Sequence, residues 1–330
     1  AHPRGARSPV SPLARGTATA PDFRVHRRYR VGEVVATGGM ARIHVGRRRS
    51  DHRPVALKVF LPPAGAERRY LDYMVHEARA LRVADSPAIV SLIEHGLWLG
   101  RPTLALEWLD GHTLADALAA TGPLPLDRVE PVMRQLLAAV ETLHARGVIH
   151  ADLKPENVML CPYVGGERVR LLDLGAAHVD GVGAVARGEV FGTPGYVAPE
   201  LVEGGDVSPA TDVYALGVLL FAMLTGRPPF PGTELLDVVH RQTFGRIPRP
   251  STARDDGHEI SEALDAVVTT ALASSPSRRF PDVARMRAAF EEAMLVTAAT
   301  TVDGDRVPVD TTEVPTARCR RPEVAIPSAS

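Results

Sequence analysis

The chain has 330 residues, 45% of them hydrophobic and 23% charged, with a formal net charge of −1. That length can bury a large core, in one two-lobed domain or in two small ones. The near-neutral balance excludes bulk electrostatic attraction to nucleic acid or to a membrane surface.

Residues 1–28 form a basic tail, and residues 1–22 are rich in Pro, Ala, Gly, Ser and Arg without apolar periodicity, a composition that predicts disorder. Arg4, Arg7 and Arg15 precede any acid, which suits a solvated arm better than a docking site for an acidic partner. Residues 29–60 alternate and carry β-branched runs, Val31 to Val35, Ile43 to Val45 and Val55 to Phe60, which predict antiparallel strands. Residues 66–83 read as one helix, and further short strands follow to Trp108.

From Asp127 the pattern turns helical. Asp127 and Glu130 form a capping-box pattern, Pro131 is placed in the first turn, and Gly147 ends the helix. Val129, Val132, Met133, Leu136, Leu137 and Val140 keep helical spacing along one buried stripe. The longest apolar run, Val213 to Leu224, is too short to cross a bilayer and reads as a buried helix. No charged-then-apolar leader opens the sequence.

Residues 295–330, rich in Thr, Val and Pro, read as a second disordered tail. The expected architecture is α+β: a small β-rich lobe over 29–106, a connection at 107–111 and a larger α-helical lobe over 112–294. A cleft between two such lobes is a usual place for a ligand. Two cysteines, Cys161 and Cys319, exclude a disulfide framework and fit a reducing cytoplasm.

The residue inventory singles out three positions. Of 38 Lys plus Arg only Lys58 and Lys154 are lysines, and Asn157 is the one asparagine. Retaining Lys at two places in so Arg-rich a chain suggests that a planar guanidinium cannot replace a compact ammonium there.

Val35-Ala36-Thr37-Gly38-Gly39-Met40-Ala41-Arg42-Ile43 lies between two predicted strands. Glycines there permit backbone N–H groups to approach phosphate oxygens, although alone the stretch is equally a Gly-Gly hairpin turn. In the strand Val55 to Phe60, period-two geometry puts Ala56 and Lys58 on one face, a small side chain beside an ammonium. Glu77 on the following helix can pair with Lys58 and hold it extended.

His150-Ala151-Asp152-Leu153-Lys154-Pro155-Glu156-Asn157 combines a carboxylate, a lysine and an amide in one loop. Asp152 can orient and deprotonate an attacking hydroxyl, and Lys154 can neutralise charge on a transferring phosphoryl group. Asn157 offers a neutral oxygen to a hard cation, and Asp173 in Asp173-Leu174-Gly175 offers a carboxylate. Each acid alone suits a turn or a cap; the ordered set does not.

From about Tyr29 to about Glu292 the chain resembles the eukaryotic-type (Hanks-type) protein kinase family, in its bacterial serine/threonine branch. The resemblance implies transfer of the γ-phosphate of ATP, with Mg²⁺ or Mn²⁺, to Ser or Thr hydroxyls of protein substrates, and autophosphorylation of the hydroxyl-rich tails. It makes Val35 to Ile43 the lid over ATP and Lys58, braced by Glu77, the lysine on its phosphates. Ala56, Leu106, Glu107 and Met159 belong to the nucleotide site, with Leu106 the gatekeeper and Glu107 the first hinge residue. Asp152 is the base, and Asn157 with Asp173 holds the metal.

Ala198-Pro199-Glu200 closes the activation segment, with Glu200 paired to Arg279, and Asp212 braces the catalytic loop. Lys154, together with Thr193 near the substrate end, is the serine/threonine pattern, with Thr193 set against Asp152 and Lys154. A homodimer is left open, and the setting implied is cytoplasmic.

Three departures stand out. The lid has Ala36 and Ala41 where the family favours glycine, which makes it stiffer. Leu174 stands where Phe is usual, a volume-tolerant swap. Ala151 replaces the arginine that normally clamps a phosphorylated activation loop, and Leu174 through Gly192 contains no Ser, Thr or Tyr to be clamped. A pseudokinase or ATP-binding scaffold usually lacks the base, the metal Asp or the strand lysine; all three are present, and that alternative is left open because complete motifs do not prove turnover. A small-molecule kinase would lack Ala198-Pro199-Glu200 and Asp212-Val213-Tyr214-Ala215-Leu216-Gly217.

Overall fold

The computed structural model describes residues 25–181, 195–232, 234–254 and 259–304. A short helix α1 (Val25–Arg28) leads into strands β1 (Tyr29–Thr37), β2 (Ala41–Arg48) and β3 (Pro54–Phe60). Helix α2 (Glu67–Ala84) and strands β4 (Leu92–Trp98) and β5 (Arg101–Glu107) complete the first lobe. The five strands form one antiparallel sheet in the order β1-β2-β3-β5-β4. Tyr29, Val55, Leu57 and Ala105 close a small core of their own, while Phe60, Leu104 and Leu106 join the main core with Met74, Ala78 and Leu81 of α2.

The second lobe is mostly helical. It begins with β6 (His112–Thr113), α3 (Leu114–Thr121) and α4 (Leu126–His144). Strands β7 (Val148–Ile149), β8 (Val158–Tyr163), β9 (Gly166–Leu171) and β10 (His178–Val179) follow. Helices α5 (Pro199–Val202), α6 (Pro209–Thr225), α7 (Leu235–Phe244), α8 (Pro250–Ala253), α9 (Glu262–Ala271) and α10 (Val283–Gly304) complete it. Strands β6, β8 and β9 make one small sheet, and β7 pairs with β10 in another.

Helix α6 is buried from Thr211 to Thr225, which explains why its sequence is apolar all round. Its start is set by Ser208, whose hydroxyl and that of Thr211 form a reciprocal cap, and Gly226 ends it in the left-handed conformation at φ +75°. The lobes are stitched behind the cleft by Val90 N–H to Leu171 O (2.9 Å) and Leu171 N–H to Ala88 O (2.7 Å).

Several element boundaries differ from the sequence reading: α2, expected over 66–83, is Glu67–Ala84, and α4, expected to end at Gly147, ends at His144. Helix α4 begins at Leu126, one residue before the predicted cap, and Pro125 occupies the cap position without a side-chain bond. Pro131 therefore lies inside the helix, and Glu130 pairs with Arg134 at 2.9 Å and does not cap. Helix α1 occupies the last residues assigned to the first tail. Helix α10 continues past residue 294 to Gly304, and within that stretch Thr297 bonds both Ala293 O (2.8 Å) and the Ser261 hydroxyl (2.7 Å) that caps α9. The remainder of both tails lies outside the described residues. Among the described residues no helix is long and apolar enough to cross a membrane.

Candidate active site

Strand β3 sets Lys58 between Ile43 of β2 and Leu104 of β5, and the side chain is only 10% exposed. Its Nζ donates to both carboxylate oxygens of Glu77 at 2.8 Å and lies 2.7 Å from Asp173 Oδ2. One ammonium thus serves two carboxylates, Glu77 buried at 1% exposure and Asp173 open to the cleft at 38%. Burial works against the Lys58 charge, but Asp173 and Glu77 outweigh it and raise its pKa. Burial also pushes Asp173 upward, yet Lys58 and the Gly175 N–H hold it at about 2. Glu77, the deeper acid, is pushed up to about 7 by burial against the pull of Lys58, with the Asp173 charge adding to the rise.

The loop from His150 to Asn157 is built on Asp212 at the start of α6. Its carboxylate accepts the N–H of His150 and of Ala151, each at 2.9 Å, and His144 Nε2 lies 2.7 Å away. Those bonds hold Ala151 at φ +60°, a conformation few side chains adopt. Asp152 then lies 2.9 Å from Lys154 Nζ, and Asn157 Nδ2 donates to Asp152 O (2.8 Å) and Oδ2 (3.1 Å). Burial raises the Asp152 pKa and Lys154 opposes the rise.

With its amide N–H groups committed, Asn157 keeps Oδ1 as its remaining acceptor, and Asp173 supplies a carboxylate. Both are the hard oxygen donors that a small divalent cation takes, usually with phosphate oxygens completing its shell. Among the described residues no group of three His, Cys, Asp or Glu could hold a metal unaided.

The lid turn is closed by Gly38 N–H to Ala41 O at 2.9 Å. A Cβ at Gly39 would meet nothing within 4 Å, one at Gly38 would meet only Ala41 O at 3.8 Å, and neither has positive φ. Packing within the chain requires neither glycine, which leaves bare backbone for a close-approaching phosphate. Val35, Ala36, Thr37 and Arg42 are exposed, Met40 and Ile43 half-buried, and Ala41 buried.

On β5, Leu106 is buried opposite half-buried Ala56 of β3. Glu107 uses its carboxylate within the protein, accepting from Ser91 N–H at 2.6 Å and pairing with Arg170. Met159, half-buried on β8, pairs across the strands with Thr113 and Arg170.

Beneath the loop, Arg279 makes a two-pronged pair with Glu200, 2.7 Å on each side, with its own side chain fully buried. Leu174 fills the core beside Asp173 without exposure. Thr193 lies outside the described residues. Three side chains had no motif to announce them. His76 Nε2 bonds Ala177 O at 2.7 Å, Arg146 caps the carbonyls of Ala84 and Asp85 at the end of α2, and Arg170 ties Glu107 to Ile89 O. Their partners are largely backbone carbonyls distant in sequence, which leave no pattern along the chain.

A sheet lobe over a helical lobe, with these polar groups between them, is the two-lobed protein kinase fold. Residues 29–290 match the protein kinase domain family. The chain is 32% identical over 265 residues to the serine/threonine-protein kinase PknL of Mycobacterium tuberculosis, covering 80% of this chain and 65% of PknL. It is 34% identical over 268 residues to the serine/threonine-protein kinase PknB of the same species, covering 79% of this chain and 42% of PknB. For PknB of Mycobacterium leprae the values are 33% over 267 residues, 79% and 42%. The match thus spans less than two thirds of each of these relatives. The chain belongs to the protein kinase domain family.

Proposed function

We propose that this chain is a serine/threonine protein kinase that transfers the γ-phosphate of ATP to hydroxyls of other proteins and of its own tails. The observation that carries the proposal is the assembled set Lys58–Glu77–Asp173 beside Asp152–Lys154–Asn157. A nucleotide-binding scaffold without transfer would not need a carboxylate held by both a lysine and an amide beside the cleft.

Lys58, held extended by Glu77, binds the α- and β-phosphates as a point charge. The lid backbone at Gly38 and Gly39 covers the phosphates, while Ala56, Leu106, Met159 and the hinge backbone at Glu107 receive the adenine. Asn157 Oδ1 and the Asp173 carboxylate hold Mg²⁺ or Mn²⁺, which supplies positive charge against the phosphate oxygens. Asp152 orients the acceptor hydroxyl and takes its proton as the O–P bond forms and the bond to ADP breaks. Lys154 offsets charge on the transferring group and opposes the rise that burial gives the Asp152 pKa. The two cysteines, too few for a disulfide framework, favour a cytoplasmic setting.

Labelled ATP, divalent cation and a generic protein acceptor test the proposal. Phosphoserine and phosphothreonine in the acceptor are expected. Nucleotide binding without transfer, at every divalent cation tried, would reduce the chain to a scaffold.

A further inference from the structure

Protein kinases that are switched by loop phosphorylation use a phosphate to tie the activation segment to the rest of the site. Here Ala151 cannot hold a phosphate, and the stretch Leu174 to Gly192 offers no hydroxyl to carry one. Another tie is present. His76 is 7% exposed and immediately precedes Glu77 on α2, and its Nε2 lies 2.7 Å from the carbonyl oxygen of Ala177, itself 3% exposed. A carbonyl only accepts, so Nε2 carries the proton.

Ala177 stands at a junction. Behind it, its N–H closes a turn onto Leu174 O at 3.2 Å, just after Asp173 at φ +51°. Ahead of it, His178 and Val179 form β10, which pairs with Ile149 and Val148 of β7, the strand that runs into His150 and Asp152. One bond from the helix therefore reaches Asp173 in one direction and the catalytic loop in the other.

We propose that His76 is a positioning residue that bolts α2 to the start of the activation segment, setting Glu77, Asp173 and Asp152 in register with no phosphate involved. Its kinetic consequence rests on the kinase reading above; its structural consequence does not. The competing account is that the imidazole merely fills space. His76→Phe keeps the ring volume and loses the donor, whereas His76→Gln loses volume and keeps an N–H donor.

Hydrogen exchange would be followed in the peptides covering residues 75–84 and 174–181 of the full chain, with transfer measured alongside. In His76→Phe both peptides should exchange faster together, and kcat should fall about 5- to 100-fold, the scale set by one buried carbonyl left unpaired. His76→Gln should recover most of both, and the melting temperatures of the two variants should not follow that order. In the wild-type chain, ¹⁵N spectra should show His76 as the Nε2–H tautomer, a measurement that needs no variant. Unchanged exchange in His76→Phe, equal damage in His76→Gln, or a His76 proton on Nδ1 alone would overturn the proposal. If the wild-type chain transfers no phosphate, exchange and tautomer still decide it, and only the proposed function falls.

Discussion

Replacing Arg279 by alanine should be among the most destabilising single changes in the chain. The guanidinium makes two 2.7 Å contacts with Glu200 and donates to the carbonyls of Ala273 (2.8 Å), Ala210 (2.8 Å) and Ser274 (3.0 Å). It also lies 4.7 Å from the centre of the Tyr214 ring. Exposed ion pairs contribute roughly 0–1 kcal/mol, but this one has 0% and 11% exposure on its two sides. Removing one partner of a buried pair strands the other charge and costs about 3–5 kcal/mol. That is a large part of a typical folding free energy of about 5–15 kcal/mol and lowers a melting temperature by about 6 °C or more. Glu200→Gln should cost less, because Arg279 keeps its three carbonyl partners. The double variant should cost less than the sum, because no lone charge remains buried. Urea denaturation with matched slopes measures all three. A cost below about 1 kcal/mol for Arg279→Ala would place the pair with ordinary surface pairs and refute the reasoning.

Lys58→Arg should lose at least about 10² in turnover, because a planar fork cannot sit where one ammonium meets Glu77 and Asp173; near wild-type steady-state rates would contradict this. Asp173→Ala should abolish transfer at every divalent cation concentration, read from a metal titration of the rate. Protein treated exhaustively with phosphatase should keep most of its activity towards an added acceptor, since neither the arginine clamp nor a loop hydroxyl is present. A large loss restored by re-incubation with ATP would overturn that expectation.

The site was legible because its parts are contiguous motifs built on scarce residue types. Lys58, Lys154 and Asn157 stand out in a chain otherwise almost free of Lys and Asn, and Asp152 and Asp173 sit at fixed places beside them. The Arg279–Glu200 and Asp212 braces followed from the same motifs. What the sequence hid was tertiary. The start of α4 lies at Leu126 with Pro125 in the cap position, so the Asp127 side chain does not cap it; just ahead, Leu124 N–H is taken by Met223 O at 2.8 Å, a contact 99 positions away in sequence. The continuation of α10 past residue 294 carries a hydroxyl contact with Ser261, which Thr- and Val-rich composition cannot announce. His76 looked like one more helix residue because its partner is a carbonyl 101 positions away.

The most direct test of the account is the single-turnover rate of γ-phosphate transfer by wild type and by Asp152→Asn, with nucleotide affinity measured for both. In the proposed reaction Asp152, held by Lys154 and Asn157, takes the acceptor proton, and Asn preserves its shape without its basicity. The rate should fall by at least about 10²–10⁴ while affinity stays within a few-fold. Equal rates in the two proteins would show that Asp152 is not the base and would contradict the account at its centre.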